Sequence, residues 1–237
     1  MKPDMLEIQE KTWVFSDASD PLYQIMHAME ETAKLHTISL KLTQPELHAR
    51  YGVVWMIVRA WMHFHEIPDL SKPLTIRTWH RGLSRSVVYR DFDLIQDGRL
   101  VGEAVQAWVL VDCVRRRLFR MDQVEELVHT AKPEVTKALR PAKPVLPDDL
   151  MVAPPICAGQ EAVDDNGHIN NARYVSLVLK TLPTPLTHVR TLELCYHREC
   201  FAGQQLPRML RQDENGAYVR LFTPEGEAAF DCKITTF

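Results

Sequence analysis

The hydrophobic positions change period several times along the chain, and each change marks an element. Leu22, Ile25, Met26, Met29 and Ala33 recur at i, i+3, i+4, i+7 and i+11, the single buried stripe of a helix, and Glu30, Glu31 and Lys34 lie off it. Asp20 followed by Pro21 is a favourable helix start, and Trp13, Val14 and Phe15 upstream read as part of a first strand over residues 1–16. After a polar insert around Thr43–His48 the period falls to two. Val58, Ala60, Met62 and Phe64 alternate with Arg59, Trp61, His63 and His65, which predicts a strand ending at Pro68. Leu74–Trp79, Ser86–Ile95 and Leu100–Val111 follow as strands, the last two joined by an Asp97-Gly98 hairpin turn. The first half therefore predicts a strand, a helix and four strands in a row.

Between Thr130 and Pro155, Pro133, Pro141, Pro144, Pro147, Pro154 and Pro155 interrupt any regular element, apart from a short helical turn near Val135–Leu139. Beyond them the plan repeats. A strand over Met151–Ala162 leads to a polar turn and a helix with Val175, Val178, Leu179 and Leu182 on one stripe, stopped by Pro183. Strands at Val189–Cys200, Pro207–Gln212, Ala217–Thr223 and Ala228–Phe237 complete the half, with Glu225-Gly226 as the counterpart of Asp97-Gly98. This predicts a tandem duplication of one α+β unit: an N-terminal domain over 1–129, a linker over 130–150 and a C-terminal domain over 151–237.

Composition narrows the class. With 46% hydrophobic and 25% charged residues the chain reads as a soluble globular protein. Its start lacks the apolar core of a signal peptide, and the apolar run Val53–Met62 is interrupted by Arg59, so no membrane span is expected. The five cysteines are scattered and show no paired C-x-x-C spacing, which argues against a disulfide framework or a metal site and for a cytoplasmic location. A net charge of −3 gives no general attraction to nucleic acid or an anionic membrane, and no cofactor is expected.

The densest chemistry lies between Val163 and Pro183. Asp164, Asp165, Asn166, Gly167, His168, Asn170 and Asn171 form a polar turn at the head of the second helix, with Asn170 or Asn171 as its N-cap. Capping needs two or so such residues; Asp, Asn and His at alternating positions before a double Asn exceed it. Unpaired helix N–H groups beside titratable side chains suit the polarisation of a carbonyl. In the following strand, Tyr196, Arg198 and Cys200 would point to one face and Cys195, His197 and Glu199 to the other. Glu199 and Cys200 would then share a pocket only through a bulge.

The pattern Asp-x-Asn-x-His-x-Asn-Asn-x-x-Tyr (Asp164, Asn166, His168, Asn170, Asn171, Tyr174), together with Tyr-x-x-Glu-Cys (Tyr196, Glu199, Cys200), resembles the acyl-ACP thioesterases of plants and bacteria. The resemblance extends over nearly the whole chain: Glu30–Glu31 through His36 is similar to that family's first central helix, and Trp79, Arg90, Gly102 and Trp108 are similar in spacing to its strands. It implies a tandem hotdog fold, with the catalytic residues in the second copy and the acyl-chain pocket shaped by the first. Asp17-Ala18-Ser19-Asp20 stands where the first copy would carry the motif turn, which leaves that copy catalytically empty. Met26, Met29, Met56, Trp61 and Met62 are candidates for the pocket wall by burial pattern, and equally for plain core.

The implied reaction is hydrolysis of fatty acyl-acyl carrier protein by water. Glu199 would be the general base, Asp164, Asn166 and His168 would position water and substrate, and the N–H groups around Asn170–Ala172 would receive the thioester oxygen. Acyl carrier protein would be the partner, docking on Arg115–Arg117, Arg120, Lys132, Lys137, Arg140 and Lys143, with the chain itself a monomer or a homodimer. Asp165 beside Asp164 leaves open which carboxylate faces the pocket. Alternatives are Cys200 as nucleophile with His168 as its base, an acyl-CoA thioesterase of the same fold, and a non-catalytic acyl-binding hotdog protein.

Overall fold

The structure is a computed structural model and describes residues 8–16, 19–84, 86–132, 138–164 and 167–237. The first half runs β1 (Gln9–Trp13), α1 (Pro21–Ser39), α2 (Gln44–Tyr51), β2 (Val53–Phe64), β3 (Leu74–Ser84), β4 (Val87–Gln96), β5 (Arg99–Asp112), β6 (Arg117–Leu118) and α3 (Glu125–His129). The second runs β7 (Met151–Cys157), α4 (Asn171–Lys180), β8 (Val189–Tyr196), β9 (Gln205–Asp213), β10 (Gly216–Phe222) and β11 (Ala228–Thr236).

All of these strands join one antiparallel sheet in the order β1-β3-β4-β5-β2-β8-β11-β10-β9-β7, with β6 beside β5. The halves meet where β2 pairs with β8, from Arg59 opposite Cys195 to His63 opposite Thr191. Outward from that seam, the path β2-β5-β4-β3-β1 on one side matches β8-β11-β10-β9-β7 on the other. This is the tandem hotdog arrangement, in which each half-sheet covers one helix. One apolar cluster runs through both halves: Leu22, Ile25 and Met29 of α1 share it with Ile76 and Phe92, and with Val175, Leu192 and Phe230 of the second half. A smaller cluster under α2 and α3 holds Leu47, Val53, Leu110, Met121 and Leu127.

Several residues of the family resemblance have plain structural work. Arg90 is buried and donates to His36 Nδ1 at 2.9 Å; burial pulls its guanidinium down to about 10, and Asp91 opposes that fall. Gly102 sits where an added Cβ would come within 3.0 Å of the His63 carbonyl oxygen. Asp97 and Gly98 both have positive φ (51° and 75°), as a two-residue hairpin turn requires.

The elements differ from the periodicity in several places: β3 runs on past Trp79 to Ser84, and β6 and α3 stand where no element was expected. Thr43–His48 is not a bare insert but the start of α2, where the Glu46 carboxylate reaches back to the Thr43 N–H at 3.0 Å. Only Leu47 of that helix is buried, so there was no stripe to read. β2 begins at Val53 rather than Val58, because a bulge between Ile57 and Arg59 breaks its alternation. β7 stops at Cys157, and Gln160–Ala162 form a 3-10 turn. β8 stops at Tyr196 rather than Cys200: the His197 and Arg198 N–H groups both donate to the Ala229 carbonyl, at 2.8 and 3.2 Å, which ends the ladder. The strand-parity argument for Glu199 and Cys200 therefore does not apply.

Residues 138–150 hold no helix or strand. The turn expected at Val135–Leu139 falls largely outside the described residues, as do Asp17, Ala18, Lys137, Asp165 and the candidate Asn166. Among the described residues no helix is long and apolar enough to cross a membrane.

Candidate active site

The site is built where α1 and α4 cross between the halves. Asp20 binds Lys180 Nζ at 2.8 Å and accepts from the Ser176 hydroxyl, the Arg173 guanidinium lies 3.4 Å above the Tyr23 ring, and Asn170 Nδ2 donates to Glu30 Oε2 at 3.2 Å. Positions ascend on α1 as they descend on α4, so the helices are antiparallel and the start of α4 lies against the third turn of α1. Asp20 occupies the N-cap position of α1, but its carboxylate serves α4.

Local hydrogen bonds explain the polar turn. Asp164 N–H donates to the His168 carbonyl at 2.8 Å, and Gly167 closes the turn with φ +81°, a value that suits glycine. His168 N–H points at Asp164 Oδ1, 3.3 Å away. Ile169 N–H donates to the Cys200 carbonyl at 2.8 Å, and Asn170 N–H to the Ala162 carbonyl at 2.9 Å, so the turn is stitched to the loop after β8 and to the 3-10 turn before it. Asn170 is the N-cap: its Oδ1 accepts the Ala172 N–H at 2.9 Å. Asn171 is the first helical residue, and its carbonyl accepts from the Tyr196 hydroxyl at 3.2 Å.

These bonds bring two candidates together. His168 Nδ1 lies 3.3 Å from Glu199 Oε1, with side-chain exposures of 30% and 50%, and the imidazole stands edge-on to Phe201 at 4.9 Å. A histidine between a carboxylate and a polar turn can relay or orient a proton. Cys200 is placed differently. It is fully buried, its thiol meets the Tyr174 hydroxyl, and burial pushes the thiol up although Tyr174 opposes the shift. Thiolate character, which a nucleophilic cysteine needs, is disfavoured there.

One acid of the site was not singled out from the sequence. Glu30, half-buried between α1 and α4, has its carboxyl pushed up to about 7, chiefly by burial; Glu31 and Asp164 add to the rise, and the Asn170 amide and Ala172 N–H oppose it. The signal available was slight: Glu30 flanks the apolar stripe, four residues after Met26 and three before Ala33.

At the other end of the helix pair, a cleft of about 480 Å³ opens between the halves, lined by Leu22, Ile25, Phe64, Leu179, Leu186 and Val189. None of the five methionine and tryptophan candidates lines it; Met26, Met29 and Met62 are buried core.

Comparisons with known proteins cover the same span. The model of the acyl-ACP thioesterase N-terminal domain matches residues 17–129, and that of the C-terminal domain matches residues 161–229. The chloroplastic palmitoyl-acyl carrier protein thioesterase of Cuphea hookeriana is 23% identical over 227 residues, covering 85% of this chain and 52% of its own. Oleoyl-acyl carrier protein thioesterase 2 of Arabidopsis thaliana, also chloroplastic, is 30% identical over 175 residues, covering 67% and 46%. The chain thus spans about half the length of the curated relatives it matches. Among solved structures, an acyl-ACP thioesterase from Bacteroides thetaiotaomicron (TM-score 0.75, 20% identity) and the 12:0-ACP thioesterase from Umbellularia californica (TM-score 0.76, 19% identity) each align over 97% of both chains, a likeness of fold. With both domain models matched in order along one tandem hotdog, this chain belongs to the acyl-ACP thioesterase family.

Proposed function

We propose that the protein hydrolyses the thioester of fatty acyl-acyl carrier protein, releasing free fatty acid and the carrier thiol. The observation that carries this reading is the His168–Glu199 pair held beside the head of α4 in a chain of this family. Glu199, oriented by His168, takes a proton from water as the water oxygen attacks the carbonyl carbon. The Ala172 N–H is engaged by Asn170, so the oxyanion faces the first-turn N–H of Asn171 and the positive end of the helix. As the C–S bond breaks, the protonated Glu199 returns its proton to the leaving sulfur. Asp164 shapes the turn through His168, and Asn166 keeps the water-positioning role that the family pattern implies.

The second half carries this chemistry and the first shapes the acyl pocket, with residues 130–150 between them. Arg115 and Arg120 are paired at the surface with Asp112 and Asp122; the exposed Arg116 and Arg117 at the β5–β6 turn, with the exposed Arg140, are the positive charge offered to an acidic carrier. All five cysteines are free thiols, which suits a reducing cytoplasm.

The test is thiol release from matched acyl-ACP and acyl-CoA substrates over short to long chains. Release from acyl-ACP is expected. Release from acyl-CoA alone would move the chain to a CoA thioesterase, and tight acyl binding without release would make it a binding protein. Cys200→Ala is expected to retain most of the wild-type kcat. Loss of turnover in a folded variant would restore the thiolate reading.

A further inference from the structure

We propose that Glu30, contributed by the helix of the first half, is a positioning residue for the site on the second: it holds the Asn170 side chain that caps α4 and sets the charge beside the N–H groups that face the oxyanion. The proposal rests on the hydrolase reading above. Its geometric basis is a single amide used at both ends. Asn170 Nδ2 donates to Glu30 at 3.2 Å while Asn170 Oδ1 accepts the Ala172 N–H at 2.9 Å, so α1 is tied directly to the first turn of α4. The helices are already fixed at their other end by Asp20, Lys180 and Ser176. The Glu30–Asn170 contact adds a polar tie between them at the site.

The surroundings of Glu30 give it a second effect. Glu31 stands next to it on α1, Asp164 approaches from the turn, and Tyr196 from β8; Asn170 donates to it, and the nearby Ala172 N–H, held by Asn170, opposes the rise. Burial among these groups brings the carboxyl to about 7, so its charge changes near neutrality. Protonated, Glu30 leaves the positive end of α4 available to an oxyanion. Ionised, it places a like charge beside that oxyanion and weakens its stabilisation. Wild-type kcat should therefore fall as pH rises through about 7.

The experiment uses the full chain as wild type, Glu30→Gln and Glu30→Ala. It reads kcat and KM for acyl-ACP hydrolysis against pH, together with the nitrogen-15 signal of the Asn170 side-chain amide. Glu30→Gln keeps an oxygen acceptor without a charge: the alkaline limb should disappear, and kcat at about pH 9 should exceed the wild type severalfold. Glu30→Ala loses both the contact and the charge: kcat should lie about tenfold below the wild type at acidic pH, with no alkaline limb and a smaller change in KM, a loss that the Gln variant rescues. The Asn170 amide signal should titrate near pH 7 in the wild type and stop titrating in Glu30→Gln. An alkaline limb that survives in Glu30→Gln, or equal losses in both variants with no change in pH profile, would overturn the proposal. Absence of thiol release by the wild type would overturn the hydrolase reading instead. The amide signal then still decides the contact: titration that vanishes in Glu30→Gln upholds it, and a flat signal overturns it.

Discussion

Glu199→Gln is expected to lower kcat for thioester hydrolysis by about 10²–10⁴-fold, the usual contribution of a positioned general base. The substitution keeps the shape of the side chain and removes its ability to take a proton from water. Glu199 lies on the loop after β8 with half of its side chain exposed, so the fold does not depend on its charge. A 3.3 Å contact between exposed groups adds little stability. The loss should therefore appear in kcat, with circular dichroism and melting temperature close to wild type. His168→Ala should cost a comparable factor, and the double variant little more than either alone, because residues that act as a unit are not additive. Turnover of Glu199→Gln within about threefold of wild type would remove Glu199 as the base.

The second large effect is on stability. Asp231→Ala is expected to destabilise the fold by about 1–3 kcal/mol, the cost of leaving the Arg220 and His197 donors without their acceptor. Asp231 on β11 is fully buried and accepts from Arg220 Nε at 2.6 Å, Arg220 Nη2 at 2.9 Å and His197 Nε2 at 3.0 Å, with Lys143 Nζ at 3.8 Å. It thus ties β10, the end of β8 and the segment before β7 to one carboxylate. Burial alone would raise this carboxyl, but the hydrogen bonds from Arg220 and His197 outweigh it and hold the group below the ordinary carboxylate range. Because the folded value lies below the unfolded one, the contribution is present above about pH 4 and is lost as pH falls through the folded value. Urea unfolding of wild type and variant at neutral and acidic pH measures both parts. The difference between them should shrink on acidification, and a neutral-pH difference below about 1 kcal/mol would show the network to be dispensable.

The parts of this molecule that were legible in the sequence are those written in local period. The α1 stripe, the alternation along β2 after its bulge and the turns at Asp97-Gly98 and Glu225-Gly226 all depend on neighbours a few residues away, and together they disclose the doubled plan. The motif around His168 stood out as candidate chemistry because its polar density exceeds what a cap needs, and the fold brings His168 to Glu199. What escaped depends on distant partners. β8 ends early because the Ala229 carbonyl, on another strand, takes two donors. Glu30 becomes part of the site only because α4 packs over it, with Asn170 arriving from the other half of the chain. On its own helix Glu30 only flanks the apolar stripe, while Glu31 lies opposite it and pairs with Lys34.

The antiparallel helix pair contains one contact made twice with different chemistry. The residue heading each helix meets the third turn of the other: Asp20 against Lys180 at one end, Asn170 against Glu30 at the other. At the first end the acid is the cap and its mate is a lysine, an ion pair that keeps its charges through the neutral range and weakens with added salt. At the second the cap is a neutral amide and its mate a proton-sensitive acid, which makes a latch that answers to pH. The two ends of this helix pair thus answer to different solution variables, and a titration and a salt series should act most strongly at opposite ends of it.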